Sequence, residues 1–426
     1  MHHRERALCS MAVAFGAYAG VLTRVLLSEL ASSQLEAEVN EWTVGEPPEY
    51  RSRIAENTTI LVKQQQILLV RKLGTGFFLP NIVGTFFFGF LAVLTIPNFQ
   101  SWSIVKTGIS TGFCGSCTTF ATWQLVVTLG LLQGNWSDAI LQSAITVATS
   151  YTALLLGRQL GASVQGHILD PYCLTAAPNA ATTNNNAEME TLNPLVVNVN
   201  GENDDKFDSG QQRNNGDISM VKRNDSYRKI VPPAAKFECN DKETQSNAVD
   251  VAEDRRPSNV LLATVGAVFV LTTVSVWLIA IMTASNRHYF LLNKCTVAMC
   301  FGPFGALGRY LLSIGNVKHP RFPLYTFVAN LLASVLNVVI VIVGNSLEPF
   351  YSDDDANYNI WIRTGISTGG MGSLSTVSTW IGELYNLSDN GPLRYAYQYG
   401  LGSVLAAQCA GLLLSGAYVT LTKASL

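Results

Sequence analysis

Two stretches of this chain share one unusual motif. The stretch from Gly108 to Trp123, GISTGFCGSCTTFATW, recurs between Gly365 and Trp380 as GISTGGMGSLSTVSTW, with ten of sixteen positions identical. Each copy lies in an apolar segment but carries glycines and hydroxyl side chains where a plain membrane helix would carry Leu and Val. Irregular backbone at membrane depth is tolerated only where it is buried in protein or lines a polar cavity. The motif therefore predicts two broken helices that meet around an ion or a pore. Closely packed, kinked helices are the alternative, since Gly, Ser and Thr also let membrane helices approach.

Composition supports a membrane protein. The chain is 48% hydrophobic and only 14% charged, and the charges cluster in a few loops, which leaves uncharged runs of membrane-spanning length. A net charge of -2 without a basic patch excludes a nucleic-acid partner. Cys114 and Cys117 form a C-x-x-C, but no second pair or His cluster accompanies them, so no zinc site is predicted. The sequence shows neither a nucleophile paired with a base nor a cluster of metal ligands, so neither an enzyme nor an organic cofactor is predicted.

The order of the apolar runs predicts four domains. Residues 1–160 contain four spans, and residues 161–257 are polar, mixed in charge and poor in aromatics, which is typical of a disordered linker. Residues 258–285 form one uncharged connecting span, and residues 286–426 contain four more spans.

The second set of spans repeats the first. FGPFGALGRYLL, which contains Arg309, resembles FGAYAGVLTRVLL, which contains Arg24, and TFVANLLASVL around Asn330 resembles LPNIVGTFFF around Asn81. Because one connecting span separates the two sets, the second copy enters the membrane from the opposite side. The predicted fold is an all-α integral membrane protein of nine spans, with two inverted four-helix repeats and a broken third helix in each. Such repeats place the transport site near the membrane midplane, where the broken helices face each other.

The loop charges favour one orientation. Lys318, His319 and Arg321 lie between two predicted spans and suit the cytoplasmic side, whereas the loop 344–360 is acidic and suits the outside. In this orientation the linker is cytoplasmic.

A resemblance to a known family now becomes specific. A first-span G-x-L-x-R, a second-span Asn and a third-span G-x-C-G-x-x-T-T-F-x-T resemble the fluoride channel family, and the duplicated form with a connecting helix resembles its two-domain eukaryotic fluoride export proteins. This resemblance implies a single chain with an internal pseudo-dimer that exports fluoride passively across the plasma membrane and protects against fluoride toxicity. It also implies a structural sodium ion, bound by the backbone carbonyls of Gly115, Thr118, Gly372 and Ser375. Arg24 and Arg309 are expected to be structural, because a charge within a span is costly unless it is paired.

The residues expected along the fluoride path are mainly hydrogen-bond donors, because a selective path must replace the water around a small, tightly hydrated anion. The candidate amides and hydroxyls belong to Asn81, Asn330, Thr119, Thr122, Thr376, Ser378 and Thr379. Aromatic rings present a positive edge to an anion, and the family positions hold Phe120 and Trp123 in the first copy but Val377 and Trp380 in the second. Tyr399 and Ser403 form a polar track on the last span, with Ala139 and Ser143 as weaker counterparts. These differences leave open whether one pathway or two conduct.

Two other functions remain as alternatives. A secondary transporter of another small anion needs an ionisable residue in its pathway, and the broken segments offer only Lys106 at one end and Glu383 late in the second copy. A non-transporting assembly protein fits any helix bundle, but does not explain why both the Asn and the break recur.

Overall fold

The structure is a computed structural model that describes residues 3–44, 76–96, 101–169, 259–284, 289–347 and 360–422. In these ranges all regular secondary structure is helical. Seven of the helical segments are long and apolar enough to cross a membrane. The prediction of an all-helical, multi-pass membrane protein is therefore confirmed.

The described residues of the first half form six α-helices. They are α1 (His3–Val44), α2 (Phe78–Val93), α3 (Trp102–Thr107), α4 (Gly115–Cys117), α5 (Phe120–Leu132) and α6 (Trp136–Val164). A π-helical stretch, Gly108–Cys114, joins α3 to α4, so residues 102–132 form the first broken segment.

The described parts of the connecting segment and the second half form six more. They are α7 (Asn259–Thr283), α8 (Phe290–Ser313), α9 (Leu324–Leu347), α10 (Gly372–Leu374), α11 (Ser378–Asn390) and α12 (Leu393–Thr422). The π-helical stretch Ile360–Met371 precedes α10, so residues 360–390 form the second broken segment.

One domain boundary and two of the predicted spans differ from the sequence prediction. Residues 161–169, expected to begin the linker, are helical, because α6 continues to Val164 and a π-helical turn, Gln165–Leu169, follows it. Two predicted spans are not among the seven long segments: α2 has only 16 residues, and the other is the second broken segment. The rest of the predicted linker lies outside the described residues.

The two halves pack against each other along α1 and α8. Val13 and Ala17 of α1 share one buried cluster with Ala306 of α8, and Val21 shares another with Ala298. Helices of one half also contact the broken segment of the other. The ring of Phe88 in α2 lies against Gly382 of α11, and Ala329 of α9 lies in a buried cluster with Ala121 of α5. The halves therefore form one interlocked bundle.

Small residues allow the closest helix contacts. A Cβ atom on Gly20 of α1 would lie 2.4 Å from the carbonyl oxygen of Phe113, and one on Gly305 of α8 would lie 2.1 Å from that of Gly370. Gly20 and Gly305 each lie four residues before the arginine of their span, and Phe113 and Gly370 occupy the same motif position. Each half thus seats its broken segment on its first helix in the same way.

The connecting helix α7 lies at the surface of the bundle. Leu271 is 67% exposed, which suits a helix that faces lipid. Its inner side is held by a 2.8 Å hydrogen bond between the hydroxyl groups of Thr273 and Tyr18, and by an edge contact between the rings of Phe269 and Phe15.

Helices α2 and α6 should be sensitive to a single added methyl group. A Cβ on Gly157 would lie 2.0 Å from the carbonyl oxygen of Phe86, so Gly157→Ala forces the two helices apart. We expect a loss of stability of about 1–3 kcal/mol, typical of overpacking, in thermal unfolding of the purified protein. Gly402→Ala is the control, since its Cβ meets no atom within 4 Å. Equal stability of the two variants would contradict this packing.

Candidate functional site at the crossed helix breaks

Both copies of the motif break their helix at the same place. The helix ends at Cys117 and Leu374, and the next residues, Thr118 and Ser375, have extended backbone with φ -87° in each and ψ 153° and 160°. The chain then resumes a helix at α5 and α11. The predicted breaks are therefore present and have nearly the same geometry.

Each break is capped by a hydroxyl group from the opposite half. Thr118 Oγ1 accepts hydrogen bonds from the backbone N–H groups of Val377 and Ser378, both at 3.2 Å. At the equivalent motif position, Ser375 Oγ accepts from Phe120 N–H at 3.2 Å and Ala121 N–H at 3.1 Å. The first N–H groups of a helix have no partner within the helix and need such acceptors. The resumed helix of each half therefore depends on the other half.

The two asparagines hold the backbone of the breaks. Asn81 Oδ1 accepts from Thr119 N–H at 2.8 Å, and its Nδ2 donates to the carbonyl of Thr119 at 3.2 Å. Asn330 makes the same two bonds with Thr376, at 2.8 and 3.2 Å. Both side chains are buried. The structure thus places both asparagines as interhelical ties, and each amide nitrogen keeps a second N–H that this pair of bonds does not use.

The predicted hydroxyl groups form two equivalent networks at the crossing, each of which includes a hydroxyl group from the opposite half. Thr119 Oγ1 donates to Thr122 Oγ1 at 3.1 Å, and Thr376 Oγ1 donates to Thr379 Oγ1 at 3.4 Å. Ser378 Oγ lies 3.2 Å from the hydroxyl oxygens of both Thr118 and Thr376. The tertiary structure therefore brings together hydroxyls that are more than 250 residues apart in the sequence.

Four backbone carbonyls lose the N–H donor that a continuous α-helix would supply. The N–H groups of Thr119 and Thr376, which would bond Gly115 and Gly372, donate to the asparagines instead. The N–H groups of Thr122 and Thr379 donate to hydroxyls at 3.3 Å rather than to the carbonyls of Thr118 and Ser375. Carbonyl oxygens suit a hard cation. The Gly372 carbonyl accepts only a long hydrogen bond of 3.5 Å, from Ser375 Oγ. The four residues predicted for sodium therefore fit that ion by the chemistry of carbonyl oxygens that lack a helical N–H donor.

Two buried arginines reach the same region from opposite halves. Arg24 Nη2 donates to the carbonyl of Thr368 and lies 3.4 Å from Ser373 Oγ, while Arg309 Nη2 donates to the carbonyl of Thr111 at 2.7 Å. Thr111 and Thr368 are equivalent motif positions. A Cβ on Gly372 would lie 2.1 Å from Arg24 Nη1, so glycine leaves room for the guanidinium. Each arginine thus ties the first helix of one half to the broken segment of the other.

Three aromatic rings pack at the centre of the bundle. Phe120 meets Trp123 and Trp380 edge to face, with ring centroids 5.3 and 5.5 Å apart, and the two indoles are 6.0 Å apart. Val377 lies in the same buried cluster but offers no ring. The predicted aromatic positions therefore belong to one cluster shared by both halves.

The polar track on α12 reaches a large cavity. Tyr399 and Ser403 are buried, and the Tyr399 hydroxyl donates to the carboxylate of Glu383. Glu383 also accepts from Thr326 Oγ1 at 2.7 Å. Glu383 lines a cavity of about 750 Å³ whose wall includes Arg321. Glu383 therefore links Tyr399 of the polar track to the lining of this cavity.

Sequence comparison placed the corresponding track on α6 three residues too early. Gln142 and Thr146 lie six and ten residues after the start of α6, as Tyr399 and Ser403 do in α12. Both are buried, as Tyr399 and Ser403 are, whereas the predicted Ser143 is half-buried and the predicted Ala139 is a buried apolar residue. The sequence itself carries the signal, because the offset between Gly108 and Gly365 makes Gln142 and Thr146 the equivalents of Tyr399 and Ser403.

Removing one of the crossed caps should weaken the whole bundle. Thr118→Val leaves two backbone N–H groups of the second half without an acceptor. We expect a loss of about 1–3 kcal/mol, the cost of leaving such groups buried and unpaired, measured by thermal unfolding. Thr152→Val is the matched control, because that exposed hydroxyl bonds only the carbonyl of Ala148 on its own helix. An equal effect of the two changes would contradict the cap.

Comparisons with known proteins agree with this geometry. The family described as CrcB-like protein, Camphor Resistance (CrcB), matches residues 11–158 and 296–416. Fluoride export protein 1 of Candida albicans is 36% identical over 126 residues, 29% of this chain and 31% of the relative. Fluoride export protein 2 of Saccharomyces cerevisiae is 33% identical over 114 residues, 26% of this chain and 30% of the relative. Fluoride-specific ion channel FluC 2 of Staphylococcus saprophyticus is 35% identical over 89 residues, 21% of this chain and 74% of the relative.

The matches to these two fungal relatives cover less than a third of their lengths, whereas the match to the bacterial relative covers about three quarters. No solved structure matches the chain. Because one family region lies in each half and the relatives bear the predicted family's names, the expected resemblance is confirmed, and the chain belongs to the CrcB family.

Proposed function

We propose that this protein is a passive, fluoride-selective channel that exports fluoride from the cytoplasm across the plasma membrane and so protects the cell from fluoride. The observation that carries the proposal is the crossing of the two helix breaks, which brings neutral hydroxyl groups of both halves together in buried networks, beside the amide groups of Asn81 and Asn330. The names of the fungal and bacterial relatives support fluoride as the ion.

A passive pathway suffices for export. Hydrogen fluoride is a weak acid that enters cells uncharged and dissociates in a near-neutral cytoplasm. A negative-inside potential of 100 mV is worth about 2.3 kcal/mol per charge, or roughly 50-fold in concentration. No proton coupling is needed to keep cytoplasmic fluoride low.

The nine-span, inverted arrangement is part of this proposal. Equivalent residues of the two halves make reciprocal contacts at the caps, the asparagines and the arginines, which supports a pseudo-two-fold axis within a single chain. In this arrangement α2 and the second broken segment complete the set of spans, and α7 supplies the odd crossing that inverts the second half.

A structural sodium ion at the crossing would be held by the carbonyl oxygens of Gly115, Thr118, Gly372 and Ser375. Bound there, it would supply positive charge to helix ends whose carbonyls carry partial negative charge. Arg24 and Arg309 bring positive charge to the same region. The two arginines would help the sodium ion to offset the negative ends of the helices. Their own positive charge favours a monovalent cation at this point over a cation of higher charge.

The two pathways differ in their polar ends. In the second half, Thr326 lies four residues before Asn330 and bonds Glu383 beside the cavity. In the first half, the equivalent positions hold Phe77, which is fully buried, and Val126. We infer that the route from the cavity past Tyr399 and Ser403 is the better hydrated of the two.

Liposomes that contain the purified chain test the function. We expect fluoride efflux that follows an imposed membrane potential, with much less chloride efflux and no requirement for a proton gradient. Proton-coupled transport is the second candidate, because Glu383 is a carboxylate hydrogen-bonded to the polar track. Flux that needs a proton gradient, and loses that need in Glu383→Gln, would replace the channel with a transporter.

The aromatic positions should contribute unequally to permeation. Phe120→Ala should reduce fluoride flux, because it removes the ring that meets both indoles edge to face. Val377→Ala removes no ring and should mainly cost packing, about 1–3 kcal/mol. Fluoride efflux at equal folded yield compares the two variants. Equal loss of flux would indicate that both pathways conduct.

A further inference from the structure

Two indole nitrogens at the centre of the bundle have no hydrogen-bond partner among the residues that the structure describes. Trp123 is 0% exposed and Trp380 is 1% exposed, and neither Nε1 meets an acceptor among the described residues. A buried Trp N–H normally finds a partner, because leaving a donor dry and unpaired is costly. Here the same omission occurs twice, at equivalent positions of the repeated motif.

The surroundings explain why the protein supplies no acceptor. The nearby hydroxyl groups bond one another or the backbone of the breaks. The carbonyl of Thr119 accepts from Asn81, and that of Thr376 accepts from Asn330. The ring of Phe120 and the side chain of Val377 lie in the same buried cluster and offer no acceptor. The indole N–H groups are thus unpaired donors in a buried cluster, and the hydroxyl groups and asparagine-bound carbonyls of the breaks take part in other hydrogen bonds.

We propose that the indole N–H groups of Trp123 and Trp380 donate hydrogen bonds to fluoride as it passes the aromatic cluster, and so help to select fluoride. The inference rests on the proposed function. Fluoride is a small, strong acceptor, and a hydrogen bond to an ion is stronger than one between neutral groups. Chloride is larger and a weaker acceptor, so it gains less from the same two donors.

The aromatic cluster offers fluoride two kinds of contact. The edge of an aromatic ring offers a weak, positive rim, whereas an indole N–H is a true donor. The three rings lie within 6.0 Å of one another, and the two tryptophans come from opposite halves. An anion at this point would therefore lose its last water while it gains donors from both halves.

Indole resonances give a direct test in the wild-type chain. The protein, labelled with 15N at tryptophan and embedded in lipid nanodiscs, is titrated with sodium fluoride and then with sodium chloride at equal ionic strength. The chain has 7 tryptophans, and single Trp→Phe changes assign the resonances. We expect the Trp123 and Trp380 N–H resonances to move downfield with fluoride and to stay in place with chloride. The Trp136 resonance is the internal control, because that side chain is 61% exposed at the start of α6.

Isosteric replacement tests the effect on transport. 3-Benzothienylalanine at positions 123 and 380 keeps the bicyclic shape but has sulfur in place of the N–H. We expect fluoride flux to fall about tenfold for each lost donor, and the preference for fluoride over chloride to narrow. Trp136→Phe should leave both unchanged.

The outcomes separate this inference from the function itself. If the wild-type chain carries no fluoride in liposomes, the proposed function fails, and a fluoride-specific indole shift would still assign a fluoride site to the tryptophans. If the wild-type chain carries fluoride but neither indole responds and the isosteric replacements keep flux and selectivity, the inference is overturned. Should the replaced chain not fold, the wild-type titration decides alone.

Discussion

A peptide group inside a membrane must find a hydrogen-bond partner, and this constraint organises the bundle. Each broken segment exposes N–H groups and carbonyls in a setting where water cannot satisfy them. The N–H groups at the start of α5 are satisfied by Ser375, and those at the start of α11 by Thr118. Neither half can complete its own break, so the two breaks must cross. The chain therefore needs the crossing in order to fold, whatever its role in a transport pathway.

The other contacts at the centre follow from that crossing. Asn81 and Asn330 replace the peptide partners that the breaks have lost. Arg24 and Arg309 each reach across to the opposite broken segment, and the glycines at the contacts leave space for a guanidinium. Removing any one of these groups leaves a polar partner unpaired in a dry interior, which costs more than the bond itself is worth.

The same arrangement has consequences for transport. Groups that close the breaks are neutral, and they bring hydroxyls, amides and aromatic rings of both halves into one region. A carboxylate, Glu383, stands at one end of the track on α12, next to the cavity, and not within the break itself. The two halves make the same contacts at the crossing but differ along their polar tracks. Folding requires both copies of each cap, asparagine bond and arginine contact, whereas permeation does not require two equal tracks.

The sequence by itself determined the helical membrane class, the positions of both breaks and the duplication. The length of the apolar runs indicates the membrane spans, and the repeated Gly-Ser-Thr motif indicates where the backbone leaves the helix and must be buried or paired. It also singled out Asn81, Asn330, Arg24 and Arg309, because polar residues are costly in apolar spans. Only the tertiary structure decided what those residues contact. The caps and the arginine contacts join residues of opposite halves, and the asparagines bond residues 38 and 46 positions away within their own half. No local sequence pattern encodes either kind of partner. It also decided that Gln142 and Thr146, not Ser143, face the interior, because the face of a helix that becomes buried depends on where the helix begins and on what packs against it.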